Sequence, residues 1–397
     1  MLSPSSESPS ALTMFSPRVV LRAAVARVRG AATVAILDTA HPGDVSQLSA
    51  WLASHPRATP RCVLGKTEGN GCVNDFTRGY ASHVVHEALG ERRGDSSIIM
   101  SGGTEGVLCP HLLLFADDGA DGADAAASGD GPPGRSGGDG LGPRLSLGVG
   151  RTRPLAPHEI GRRAQVEATR DAVLAACADA GLEPADVCFA QVKCPLLTPE
   201  RVRASAEPCA TEDGYHSMGL SRGASSLGVA LATGELSAEA LEGIDVRVCT
   251  DLGLGSSVAS ASAGIELMHG EVFVLGNSVR SGSALRAACG VMRDAIDAPA
   301  VLRVVGEAGL ETEGGQLTPA ARGRVRAVLA KADGVSEVRG HRTTMCADSD
   351  LHATRHARAA VGGLLAGVFG HGRLYVSGGA EHQGPEGGGP VCVVYEV

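Results

Sequence analysis

Three lysines, three arginines and three serines recur in one order along this 397-residue chain: Lys66, Arg78 and Ser101, then Lys193, Arg222 and Ser262, then Lys331, Arg355 and Ser377. Each lysine closes an apolar run, as in Cys62-Val63-Leu64-Gly65-Lys66, and each arginine follows Ser or Thr. The serines open stretches of one pattern: Ser101-Gly102-Gly103-Thr104-Glu105, Ser262-Ala263-Gly264-Ile265-Glu266 and Ser377-Gly378-Gly379-Ala380-Glu381. A small residue after serine lets backbone amides approach a ligand closely. Gathered in one place, these donors suit an anion or a small ligand rimmed with carbonyl oxygens. Clustered cations lower a lysine's pKa and leave a neutral amine able to take a proton from serine. A Ser-Lys couple is a known nucleophile–base arrangement, and backbone amides beside it can hold an oxyanion. Lys193 is the lysine expected to titrate low, because the run at 187–192 before it is mostly apolar.

The Lys-to-Arg spacings are 12, 29 and 24 and the Arg-to-Ser spacings 23, 40 and 22, which fits three diverged copies of one unit with loops of different length. Such copies most simply close around a pseudo-threefold axis, with the repeated residues at its centre. Ser225 and Ser226 are rival nucleophiles, but they follow Arg222 directly and lack the strand–Ser–small pattern; as helix N-terminal residues they read as structural.

The elements needed to position these residues alternate. In 18–115, strands at 19–28 and 32–36, a helix at 45–53, a strand into Lys66, a helix at 78–89 and a strand into Ser101 make a first unit. Residues 116–144 are almost wholly Gly, Ala, Asp, Ser and Pro, and read as a flexible insertion. In 145–280 the plan repeats: a strand at 145–149, a helix at 157–180, a strand into Lys193, a helix opened by Ser221-Arg222, the stretch from 246 into Ser262, and a strand at 271–275. In 281–397 a helix at 284–296, an approach from 316 to Lys331, a helix at 354–368, a strand into Ser377 and a last strand at 391–395 complete a third unit. The fold class is therefore α/β (α+β) in three similar units.

Composition limits the alternatives. Net charge is −9 and aromatics are 3%, which argues against nucleic-acid binding. Residues 1–17 are polar and Ser/Pro-rich, reading as a disordered tail without a secretory signal, and no apolar run spans a bilayer. The 11 cysteines form no CxxC pair and read as reduced, buried thiols in a cytoplasmic protein.

Longer stretches carry a resemblance. Gly65-Lys66-Thr67-Glu68-Gly69-Asn70-Gly71, Asp75-Phe76-Thr77-Arg78-Gly79, Met100 to Gly106, Ser221-Arg222-Gly223-Ala224-Ser225, 342–358 with Asp348-Ser349-Asp350, and 377–390 resemble the cyanuric acid hydrolase/barbiturase family of ring-opening amidohydrolases. The resemblance covers nearly all of the chain outside the tail and the insertion. It implies three repeating units around a central pocket, and hydrolysis of a cyclic imide C–N bond without a catalytic metal. By motif, the ring is gripped by Arg78, Ser101-Gly102, Arg222, Ser262-Ala263, Arg355 and Ser377-Gly378, with Lys66 and Lys331 beside it. The second unit's Ser262 is the implied nucleophile and Lys193 its base. The resemblance also implies a structural divalent cation, Mg or Ca, held by the carbonyls of Ala380, Gln383, Gly384, Pro385 and Gly388 and by Asp333, where the family often has Glu. It further implies a homotetramer. Cyanuric acid is the leading substrate, barbituric acid the alternative, and a non-catalytic cyclic-imide binder the reading from another class. His352 and His356, near Asp348 and Asp350, could imitate a transition-metal site but lack a third ligand with a glutamate; they read as helix-face histidines.

Overall fold

The computed structural model describes residues 31–119 and 142–397. The expected strand at 19–28, the tail at 1–17 and most of the 116–144 insertion lie outside them. Three four-stranded sheets carry the architecture, and each is built from the same succession of elements. The first comprises β1 (Ala32–Asp38), α1 (Ser46–Ser54), β2 (Thr59–Thr67), α2 (Phe76–Leu89), β3 (Ser97–Gly102) and β4 (His111–Asp117). The second comprises β5 (Arg144–Arg151), α3 (Arg163–Ala180), β6 (Val187–Pro195), α4 (Gly214–Thr233), β7 (Ala259–Gly264) and β8 (Glu271–Ser278). The third comprises β9 (Leu285–Met292), α5 (Ala298–Glu307), β10 (Val325–Ala332), α6 (Ala353–Phe369), β11 (Tyr375–Gly378) and β12 (Gly389–Glu396). Short helices and two-residue hairpins fill the connections.

The strand orders are β1-β4-β2-β3, β5-β8-β6-β7 and β9-β12-β10-β11, one order used three times. In each sheet the lysine-bearing strand lies parallel to the serine-bearing strand and antiparallel to the last. The parallel register sets Lys66 beside Ser101, Lys193 beside Ser262 and Lys331 beside Ser377.

Period-two alternation decides where the lysines point. Cys62 and Leu64 of β2, Phe189 of β6 and Ala327 and Leu329 of β10 belong to one apolar cluster shared by all three sheets. Val63, Val192 and Val328, on the opposite faces, pack under each sheet's own helices. Lys66, Lys193 and Lys331 lie an even number of residues beyond the first set, so each projects on the shared side. There Phe115 and Phe273 meet across two sheets with ring centroids 4.9 Å apart. These are the chain's only lysines, and all three are buried, at 1%, 0% and 0% exposure.

Several expectations need correction. The Ala-rich stretch at 284–296 forms strand β9 rather than a helix: all eight of its residues pair with β12, and that ladder overrides local helix propensity. Ser221-Arg222 lie within α4 rather than opening it, because the Asp213 carboxylate caps the helix by accepting from His216 N at 2.6 Å. The helix expected from 157 begins at Arg163; a single turn at Pro157–Glu159 precedes it, and Gly161 breaks the path at φ +78°. Ala116, Asp117 and Arg144, assigned to the insertion, are strand residues. Not all the thiols are buried: Cys109 and Cys346 stand exposed in loops, although all 11 are free.

Candidate active site

One polar pocket brings together the three serine stretches and one arginine from each unit. It is lined by Ser101-Gly102, Ser262-Ala263 and Ser377-Gly378, by Arg78, Arg222 and Arg358, and by Gly71 and Met218. The parallel strands β3, β7 and β11 end here and deliver the serines. Arg78 reaches the pocket from the first turn of α2, which Asp75 caps through Arg78 N at 3.1 Å. Gly71, at φ +71°, is bound through its N–H to the same carboxylate at 2.8 Å.

The third arginine is not the one expected. Arg358, one turn beyond Arg355 on α6, lines the pocket, and Arg355 does not. The helix phase explains it: Arg358, Val361, Leu365 and Phe369 form the buried face of α6, whereas Arg355 is only half-buried. The Thr-Arg pair misled, while the i, i+3, i+7 apolar spacing pointed to Arg358. Met218 lies one turn before Arg222 on α4 and follows the same logic.

The lysines tie the units to one another. Lys66 Nζ donates to Val376 O at 2.8 Å, Lys331 Nζ to Ala261 O at 2.6 Å and Lys193 Nζ to Met100 O at 3.0 Å. Each acceptor is the carbonyl just before another unit's serine, so the contacts run from first unit to third, third to second and second to first. Two lysines also reach their own serine: Lys66 to Ser101 Oγ at 3.2 Å and Lys331 to Ser377 Oγ at 3.1 Å. Lys193 instead pairs with Glu266 Oε1 at 3.0 Å, and the buried Ser262 hydroxyl has no protein partner.

Burial lowers the pKa of all three amines, so Lys193 is not singled out as expected. At Lys66, burial and the charges of Arg358 and Lys331 drive it well below the usual lysine range. At Lys331, burial and Arg222 do the same. At Lys193, burial again lowers it, but Glu266 pulls the other way. Arg222 is clamped by Glu381 through two hydrogen bonds of 2.7 and 2.5 Å, and Arg358 by Glu105 through two of 2.8 and 2.5 Å. Orienting each planar guanidinium this way leaves its remaining N–H groups for a ligand.

The rival serines are engaged elsewhere. Ser225 Oγ accepts from Gln165 Nε2 at 3.0 Å and Ser226 Oγ donates to Arg222 O at 2.8 Å, and neither lines the pocket. His352 caps α6 and contacts the Tyr215 hydroxyl, while His356 Nε2 lies 2.9 Å from Asp348 Oδ2. The two histidines thus have different partners, and no cluster of metal-ligating side chains occurs among the described residues.

Asp333 stands against the loop after Ser377, its Oδ2 accepting from Gly387 N at 3.1 Å. Burial, reinforced by the charge of Glu381, raises its pKa. A half-buried carboxylate pressed on a loop rich in carbonyls suits an oxygen-ligated hard cation.

Known proteins resemble this chain over most of its length. A family profile described as "Amidohydrolase ring-opening protein" matches residues 33–396. A cyanuric acid amidohydrolase of Bradyrhizobium diazoefficiens is 49% identical over 374 residues, covering 90% of this chain and 95% of its own. Another, of Pseudomonas sp. strain ADP, is 47% identical and covers 89% and 96%. A solved structure described as "Cyanuric acid hydrolase: evolutionary innovation by structural concatenation" superposes with a TM-score of 0.83 at 44% identity, covering 93% of this chain and 100% of that one. A cyanuric acid hydrolase structure from A. caulinodans gives 0.79 at 44% identity, covering 92% and 99%. The chain belongs to the ring-opening amidohydrolase family.

Proposed function

We propose that this protein hydrolyses cyanuric acid, opening the ring to carboxybiuret, which then loses carbon dioxide to give biuret. The observation that carries the reading is the convergence on one pocket of three arginines and three serines, each serine in register beside a buried lysine. A ring with three carbonyls and three N–H groups repeats every 120°, and the cyclic lysine contacts support three units closed around a pseudo-threefold axis that matches it.

In the mechanism, the arginines and the backbone N–H groups beside the serines bind the carbonyl oxygens. Ser262 Oγ attacks one carbonyl carbon as its proton passes to the neutral Lys193 amine, and the C=O π pair moves onto oxygen. That oxyanion is held by the same donors. Collapse breaks the ring C–N bond, and the Lys193 proton goes to the departing nitrogen. Water then attacks the acyl-enzyme with Lys193 as base again. Ser262 is favoured as nucleophile because its hydroxyl is buried, lines the pocket and has no protein partner. Ser101 and Ser377, already bonded by their lysines, polarise the other carbonyls.

Asp333 and the carbonyls of Ala380, Gln383, Gly384, Pro385 and Gly388 would hold a divalent cation, Mg or Ca. Its chemistry there is structural: it would fix the loop after Ser377 to the strand that carries Lys331. A homotetramer in the cytoplasm is part of the same reading, and light scattering on the purified protein tests the assembly.

Steady-state rates on cyanuric and barbituric acid test the function. Ring opening of cyanuric acid at much the higher kcat/KM is expected. Preference for barbituric acid would move the chain to the sister activity, and tight binding without turnover would make it a binding protein.

A further inference from the structure

The three serine stretches differ in what their glutamates hold. Glu105, of the first unit, clamps Arg358 of the third, and Glu381, of the third, clamps Arg222 of the second. Continued around the ring, this pattern would put Glu266 on Arg78. Instead Glu266 Oε1 lies 3.0 Å from Lys193 Nζ, within its own unit. Arg78 donates to Cys72 O at 3.1 Å, and its Nε is buried without a partner.

The backbone is shaped for the exception. Gly103, Gly264 and Gly379 each stand two residues after a serine. A Cβ on Gly103 would come within 2.4 Å of the Arg358 guanidinium, and one on Gly379 within 2.8 Å of that of Arg222. On Gly264 it would come within 2.2 Å of the Glu266 carboxylate. The same notch admits another unit's cation twice and the second unit's own carboxylate once.

We propose that Glu266 is the positioning residue of the Lys193 amine, and that this contact sets the second serine apart from the first and third. The inference rests on the assignment of Ser262 as nucleophile. A base that takes a proton from serine and returns it to the leaving nitrogen works best with a proton affinity near the working pH. Burial alone pushes an amine too far down, as at Lys66, whose hydrogen bonds go to a hydroxyl and two carbonyls. Glu266 opposes that push at Lys193. It stays a carboxylate throughout and stabilises the ammonium that forms when Ser262 gives up its proton, as the aspartate of a serine triad does for its imidazolium. Besides Glu266, the ionisable groups acting on Lys193 are Arg78 and Cys194, and Glu266 also acts on Arg201.

The chain's three lysines make the test direct. Full-length protein labelled with 15N at lysine gives three side-chain signals, assigned by single Lys→Arg variants and titrated in wild type, Glu266→Gln, Glu266→Asp and Gly264→Ala. In Glu266→Gln the Lys193 signal is expected to titrate about one pH unit lower, with Lys66 unmoved. Gly264→Ala, which crowds the carboxylate without removing it, moves Lys193 the same way, and Glu266→Asp recovers part of the shift. On cyanuric acid, kcat of Glu266→Gln falls about 100-fold while KM stays within about threefold, and the acid limb of its pH profile moves down with the amine. An unshifted Lys193 titration, or a loss confined to KM with the limb unmoved, overturns the proposal. If the amine shifts as stated but wild type opens no ring, the positioning role stands and the assignment of the reaction falls.

Discussion

Replacing each serine by alanine should separate them, and the structure gives the size of each effect. The Ser262 hydroxyl has no protein partner, so Ser262→Ala strands no buried group. Its thermal midpoint should stay near wild type, within the ~0.5 kcal/mol expected where no contact is lost. Turnover, however, should fall by more than about 10⁴-fold, because the nucleophile is gone while the grip on the ring remains. In Ser101→Ala, Lys66 loses an acceptor at 3.2 Å, and in Ser377→Ala, Lys331 loses one at 3.1 Å. Each lysine keeps a backbone carbonyl, so the stability cost should be about 1 kcal/mol. One substrate carbonyl also loses its hydroxyl partner, which costs ~1–3 kcal/mol, or about 5- to 150-fold in kcat/KM. The assays are thermal melts, isothermal binding of cyanuric acid, steady-state rates and mass spectrometry of quenched reactions. An acyl adduct on Ser101, Ser225 or Ser377, or Ser262→Ala within tenfold of wild-type turnover, would refute the assignment.

Arg358→Ala should destabilise by about 3 kcal/mol in denaturant titrations, since it leaves the half-buried Glu105 without its bidentate partner, and should abolish turnover, while Arg355→Ala changes kcat/KM by less than about threefold. Chelation should lower the melting temperature while sparing the initial rate of still-folded protein; an immediate, reversible loss of rate without loss of fold would instead make the cation catalytic. Burial pushes the Glu266 pKa up, but Lys193 and Arg78 outweigh it and hold it at about 2. Its folded pKa is thus depressed, so while Lys193 is an ammonium its contribution is fully present above ~4.3 and is lost as pH falls through about 2. The stability difference between wild type and Glu266→Gln, measured by urea titration, should shrink across that window; a constant difference would count against the ion pair.

Much of the site was legible because its geometry follows from short-range rules. A lysine at the end of an apolar strand run and a serine before a small residue at the end of the next strand are both set by register, and the sheets place them side by side. Arg78 and Arg222 were also legible, through the Ser/Thr-Arg pair that recurs with the lysines and serines. Arg358 was not, because nothing adjacent in sequence marks it and only the helix phase of α6 does. Strand β9 was hidden for a related reason: Leu-Arg-Ala-Ala-Cys-Gly-Val-Met favours a helix locally, and only pairing with β12, about 100 residues away by chain order, makes it a strand. The glutamates stood in plain view in each serine stretch, yet Glu105 and Glu381 hold other units' arginines and Glu266 holds Lys193, a choice that local pattern cannot reveal.

The proposed threefold arrangement of the pocket solves recognition but poses a problem for catalysis. Three equal Ser-Lys couples around a threefold ring would have no reason to cut at one vertex, and three ionised lysines in one dry centre would repel one another. Strong desolvation of Lys66 and Lys331 disposes of the repulsion by favouring neutral amines, at the expense of their strength as bases. One carboxylate moved from an arginine to a lysine is then enough to differentiate the units. It gives the second unit a supported ammonium, frees its serine from a lysine hydrogen bond, and leaves Arg78 less firmly clamped than its counterparts. Ala263, where the other units have glycine, lies at the same vertex. The departures from symmetry therefore gather where one carbonyl has to be treated differently from the other two.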